Sequence, residues 1–99
     1  SMAGNPGYRL SQKAEADLEE IWLYTMQRWS AAQADKYIRD FLIVFDDLAG
    51  GARSGQQCDI RDGYLKIAMS AHVIYYRQAG GTIEVVRILH GRMDVNRHL

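Results

Sequence analysis

The chain has little of what small proteins use as staples. It carries one cysteine and one proline in 99 residues. A single cysteine, Cys58, cannot close an internal disulfide, and without a CxxC or Cys/His cluster the sequence offers neither a disulfide framework nor a structural zinc site. Net charge is missing too, with 12 Lys/Arg against 12 Asp/Glu. That balance argues against a non-specific nucleic-acid binder, which needs a basic excess. No apolar run approaches the roughly 18–20 residues of a membrane span, so no membrane partner is expected, and the cysteine usage points to a reducing, cytoplasmic compartment. Disorder is excluded from the other side, because 47% of the residues are hydrophobic.

The zero total conceals two unlike halves. Residues 1–50 hold five Lys/Arg and eight Asp/Glu, net −3, whereas residues 51–99 hold seven and four, net +3. Ser1-Met2-Ala3-Gly4 reads as a cleavage scar before a native start, so residues 1–7 are taken as scar and N-terminal arm and 8–99 as a single domain. Tyr8-Arg9-Leu10 suffices for a short strand. From Ser11, a natural N-cap, Ala14, Leu18, Ile21, Trp22, Thr25, Met26 and Trp29 recur at helical spacing. The acidic run Glu15 to Glu20 reads as the solvated face of that helix. Ser30-Ala31-Ala32-Gln33 fits a capping box and opens a second helix, whose stripe of Ala34, Tyr37, Ile38, Phe41, Leu42, Phe45 and Leu48 stops at Gly50-Gly51. With almost no linker the two form an antiparallel hairpin. Residues 51–63 read as a polar loop. Tyr64 to Met69, His72 to Arg77 and Thr82 to His90 then read as strands of an antiparallel meander. The fold class is α+β: a short N-terminal strand, then a two-helix hairpin packed on a C-terminal three-stranded meander, β-α-α-β-β-β.

Loop lengths set an expected register. A two-residue turn at Ser70-Ala71 pairs Met69 with His72, and a three-residue loop at Ala79 to Gly81 pairs Gln78 with Thr82. Leu65, Ile67, Met69, Ile74, Tyr76, Val86 and Ile88 then face the helices. Tyr64, Lys66, Val73, Tyr75, Arg77, Ile83, Val85, Arg87 and Leu89 face the other way, with no remaining element to cover them. An uncovered face that mixes aromatics, aliphatics and three cations reads as a partner site; the alternative is that the N-terminal segment and the C-terminal tail partly cover it and that the cations are ordinary solvated strand residues.

Several segments together resemble one family: Tyr8-Arg9-Leu10-Ser11, the helix Ala14-Glu15-Ala16-Asp17-Leu18-Glu19-Glu20-Ile21-Trp22, Gly63-Tyr64, His72-Val73-Ile74-Tyr75-Tyr76-Arg77 and the ending Val86-Arg87-Ile88-Leu89-His90-Gly91-Arg92-Met93-Asp94. They resemble the ParE-type toxins of the RelE/ParE superfamily, from about Tyr8 to Leu99. Between the helices and the strands the sequence departs from the family's pattern, with Ala52-Arg53-Ser54-Gly55-Gln56 in place of a Pro and a Gly-Arg pair. The resemblance implies the toxin component of a bacterial type II toxin–antitoxin system that inhibits DNA gyrase by protein binding, stops growth and is neutralised by a ParD-type antitoxin. It implies no cofactor and no direct DNA binding by the toxin alone. The uncovered face, Tyr64, Lys66, Val73, Tyr75, Arg77, Val85 and Arg87, is then assigned to the antitoxin, and Trp29, His90, Arg92 and Arg97 to the target. The alternative is the ribosome-dependent endoribonuclease of the RelE branch, for which Arg87, Arg92 and His98 supply cations and an acid; a third reading is an inactive relative that only binds antitoxin. His72, His90 and His98 lack ligand spacing, so no metal is expected. Trp22 and Trp29 lie on the helix stripe and read first as core, with Trp29 at the hairpin tip also suited to anchor a partner.

Overall fold

A computed structural model describes Gly4, Asn5 and residues 7–99; of the scar reading of Ser1-Met2-Ala3-Gly4, the first three residues lie outside the described residues, and Gly4 pairs with Arg9. The elements follow in the order β1 (Gly4–Asn5), β2 (Tyr8–Leu10), α1 (Gln12–Arg28), α2 (Ala31–Gly50), β3 (Gln56–Gln57), β4 (Tyr64–Met69), β5 (His72–Ala79), β6 (Thr82–His90) and α3 (Val95–His98). The expected architecture is present, widened by two very short strands and a terminal helical turn. All six strands join one sheet in the order β1-β2-β6-β5-β4-β3, in which only β2 and β6 pair in parallel.

The two serines cap their helices as expected, while the return bond from the Gln33 side chain to the Ser30 N–H that completes a capping box is not among the described hydrogen bonds. The Ser11 and Ser30 hydroxyls accept the backbone N–H groups of Ala14 and Gln33, each at 3.0 Å. Gly51 takes φ of 83° and ends α2, donating its N–H to the Asp47 carbonyl. Asp47 at this C-terminus would oppose the helix dipole, but Arg53 pairs with its carboxylate at 3.0 Å. The hairpin lays Ala14, Ile21, Phe41, Val44, Phe45 and Leu48 onto Ile74, Tyr76, Ile83, Val85 and Ile88 of the sheet, and that is the main core.

The β4–β5 register is the expected one throughout, from Met69 opposite His72 to Tyr64 opposite Arg77. The β5–β6 register is not. Gly80 and Gly81 both adopt positive φ, 58° and 79°, so a two-residue turn pairs Ala79 with Thr82. Two residues at positive φ are what a tight hairpin turn requires, and glycine takes them without a Cβ clash. The pairing therefore starts one residue out of the expected step. A bulge then moves it a second residue out, with Tyr76 opposite Val85 and Tyr75 opposite Arg87 rather than Val85; this leaves Val86 as the extra residue and returns the side chains beyond it to their expected faces. The faces correct accordingly. Ile83 and Val85 belong to the helix-side core, so Val85 is withdrawn from the antitoxin surface. Val86 packs on the opposite side, while Arg87 and Leu89 keep their expected face.

That opposite side is also not bare. Cys58, Tyr75 and Leu89 are buried there, with Tyr64, Val73, Val86, Val95 and Leu99 packed against them. Two segments provide the cover. The loop after α2 is tied down where β3 pairs β4 and the Cys58 N–H donates to the Tyr64 carbonyl at 2.8 Å. Beyond β6 the chain turns back, the Gly91 N–H donating to the Ala71 carbonyl, so that α3 brings Val95 and Leu99 across the sheet. Tyr75, assigned from sequence to an open surface, is thus 7% exposed beneath them.

Candidate functional site

Where β2 ends, β6 continues as an edge strand, and α1 lies along that edge. The Ser11 hydroxyl donates to the Val86 carbonyl at 2.8 Å and the Ser11 N–H to the Val85 carbonyl at 2.9 Å. Six residues further along, Asp17 accepts the Ile88 N–H at 2.9 Å. Side chains of the helix thereby satisfy backbone groups that would otherwise template pairing with another chain.

Asp17 also holds Arg87. Its two oxygens receive Nε at 2.8 Å and Nη2 at 2.9 Å, a bidentate fork that holds the guanidinium firmly cationic. The remaining Nη1 donates to the His98 carbonyl at 2.9 Å. Reading Glu15 to Glu20 as a solvated face therefore fails at Asp17, which is 8% exposed and the one buried charged residue among those described. The signal was present: Asp17 follows Ala14 by three and precedes Ile21 by four, which puts it on the buried stripe.

Above this pair lies a groove of about 920 Å³, walled by the C-terminal part of α1, the start of α2, the β4–β5 turn and the chain after β6. Its mouth carries exposed apolar groups: Tyr24 is 63% exposed, Trp29 65% and Met93 41%. Trp29 is thus at the surface rather than in the core, because it follows the last turn of α1; Trp22, half-buried, donates Nε1 to Asp35 at 2.8 Å. Inside the groove Tyr37 Oη meets His72 Nδ1 at 2.8 Å, and the His72 and His90 rings stand edge to face at 5.5 Å. Burial, and then the neighbouring His90, push the His72 imidazole below its ordinary range. Burial likewise raises the Tyr37 phenol. The Arg92 N–H donates to His90 Nδ1 at 3.1 Å, setting the turn that leads into α3.

Of the residues assigned to a target, Trp29 and His90 line this groove and Arg92 adjoins it through His90, whereas Arg97 is exposed on α3. Of the ribonuclease set, Arg87 is engaged by Asp17 and by the His98 carbonyl, and Arg92 is exposed. On the sheet's far face Tyr64, Lys66 and Val73 remain partly exposed. Arg77 is exposed but donates to Glu84 at 2.7 Å, beside a second contact from Arg9 to the same carboxylate. Among the described residues no three His, Cys, Asp or Glu side chains are grouped to hold a metal ion, and no helix is long and apolar enough to cross a membrane. Sequence reasoning did not single out Tyr24, Met93, Tyr37 or Asp17 as site residues.

Residues 8–95 match the family described as the ParE toxin of the type II toxin–antitoxin system, parDE. The chain belongs to the ParE toxin family. Among curated members of that family, Toxin ParE1 of Mycobacterium tuberculosis is 49% identical over 94 residues, covering 93% of this chain and 96% of the relative. Toxin ParE1 of Caulobacter vibrioides is 40% identical over 93 residues, with the same coverage, and Toxin ParE of Escherichia coli is 36% identical over 94 residues, covering 93% and 91%. A solved structure entitled Chromosomal ParDE TA system from P. aeruginosa superposes with a TM-score of 0.75 at 19% identity, over 85% of this chain and 94% of that one, and so shares the fold. The β-α-α-β-β-β arrangement is that of a ParE-type toxin of a type II toxin–antitoxin system.

Proposed function

We propose that this ParE-type toxin acts by binding a protein, DNA gyrase, rather than by chemistry of its own, and that a ParD-type antitoxin neutralises it. The observation that carries the reading is the groove mouth. Tyr24, Trp29 and Met93 leave apolar surface in water beside His90 and Arg92, and exposed aromatic anchors around a concave site suit a protein partner. Arg87, the cation a ribonuclease would need for the scissile phosphate, already spends its fork on Asp17 and an Nη1 N–H on a carbonyl. Action on gyrase places the toxin in the cytoplasm. The antitoxin meets the part of the sheet face that loop and tail leave open, Tyr64, Lys66, Val73 and Arg77, with acidic groups near the two cations.

The deciding experiment mixes the purified chain with gyrase and relaxed plasmid. Supercoiling is lost or cleaved complexes accumulate; undiminished supercoiling together with mRNA cut on ribosomes overturns the reading. Lys66→Glu combined with Arg77→Glu weakens the antitoxin complex through like-charge repulsion, measured by calorimetry, and unchanged affinity moves the antitoxin off this face. An induced chain that leaves bacterial growth untouched, yet binds antitoxin, is the inactive relative instead.

A further inference from the structure

The structure assigns to Asp17 the role of a positioning residue: acting through Arg87, it holds the segment after β6 where that segment forms one wall of the groove. This rests on the protein-binding reading of the groove given above. Both oxygens of Asp17 are used, Oδ1 by Arg87 Nη2 and Oδ2 by Arg87 Nε and the Ile88 N–H. A bidentate pair fixes the plane of the guanidinium as a lone contact does not, so the direction of Nη1 follows from Asp17. Nη1 points at the carbonyl of His98. That carbonyl lies at the end of a four-residue helix, far too short to persist without tertiary ties. Its further ties are Val95 and Leu99 on the small cluster around Tyr75, and Arg61, which donates to the Leu99 carbonyl at 3.2 Å.

The same segment builds the groove. Met93 and His98 line it from one side, following His90, while Asp17 and Arg87 line it from below. A chain of hydrogen bonds thus runs from α1 through Arg87 to the wall that a partner meets. Stability alone does not explain the pair, because the cost of desolvating two charges offsets much of their attraction. What the pair adds beyond stability is geometry.

Asp17→Asn keeps the size and an oxygen for the Ile88 N–H but removes the fork. The expected result in amide hydrogen exchange is at least about tenfold faster exchange at residues 95–99, with Ile74, Tyr76 and Val85 unchanged, together with lost growth arrest on induction. Arg87→Lys is expected to behave alike, since one ammonium cannot hold the carboxylate fork and the carbonyl together. Three results overturn the assignment: tail amides as slow as in the parent, core amides that speed up in step with the tail, or full growth arrest with a freed tail. A parent chain that causes no arrest sinks the protein-binding reading instead, and the exchange pattern by itself then decides the role of Asp17.

Discussion

On the helix side of the sheet Phe41, Phe45, Ile74 and Val85 are fully buried, and the hairpin covers them with two amphipathic helices. On the far side three buried residues, Cys58, Tyr75 and Leu89, lie under a loop and a single helical turn. The first side is closed by apolar area, spread over many contacts. The second is closed by few apolar contacts plus directed polar ties: Arg87 to His98, Arg61 to Leu99 and the Cys58 N–H to Tyr64. Apolar burial is non-directional and tolerant, whereas a handful of hydrogen bonds fixes one arrangement and releases it when one partner is lost. The side that carries the fold is therefore separate from the segment that shapes the groove.

The strongest way to break this comparison is Phe45→Ala. Phe45 packs against Tyr8 at 5.5 Å and Phe41 at 6.3 Å between ring centroids. Truncating a buried Phe costs about 3–5 kcal/mol, a large share of the roughly 5–15 kcal/mol that holds a domain together. Urea unfolding should show a loss of about 3–5 kcal/mol; a loss below about 1 kcal/mol would mean that the main core lies elsewhere. Leu89→Ala on the far side is expected to cost about 2 kcal/mol, the low end for such a truncation, because loop and tail can settle into the space. Its fingerprint is faster exchange at residues 95–99 with α1 and α2 unaffected.

How much of this was legible in the sequence divides along the same line. The hairpin, its serine caps and the β4–β5 register depend on local signals, namely side chains that reach three residues ahead and a two-residue turn. The inversion of Ile83 and Val85 was hidden because two compensating features, a shorter turn and a bulge at Val86, leave Arg87 and Leu89 where a regular strand would put them. The cover over Tyr75 comes from Cys58, Val95 and Leu99, which are distant in sequence and carry no periodic signal. Asp17 was legible by its position on the stripe, and only its charge disguised it.

Gly55 sharpens the comparison on a smaller scale. Its N–H donates to the Tyr76 phenol at 2.7 Å, and a Cβ there would meet the Lys66 carbonyl oxygen at 2.5 Å and Tyr76 Oη at 2.7 Å. Gly55→Ala should destabilise by about 1–3 kcal/mol as the loop is pushed off the sheet. Gly50 is the control. Nothing lies within 4 Å of a Cβ at that position in the last turn of α2, so Gly50→Ala should stabilise by up to about 1 kcal/mol. Equal thermal shifts of the same sign at the two sites would show that the loop is not clamped.

The smallest expected effect is a pH dependence that starts from one imidazole. His72 is half-buried against Phe41 and Tyr37 of α2 and beside His90 of β6; burial and then His90 lower its pKa from 6.5, and Asp17 of α1 pulls weakly the other way. Asp40 and the Arg87 guanidinium also border the groove. Between the lowered folded value and 6.5 the unfolded chain binds more protons than the folded one, so stability rises with pH through that window. The contribution of His72 is thus complete above 6.5 and lost as the pH falls through the folded value. Urea midpoints at pH 7.5, 6.5 and 5.5 should decline for the parent, and less steeply for His72→Gln, since carboxylates common to both chains cancel in the difference. Parallel declines would place the imidazole in water, and with it the floor of the groove between the well-packed hairpin side and the lightly held tail.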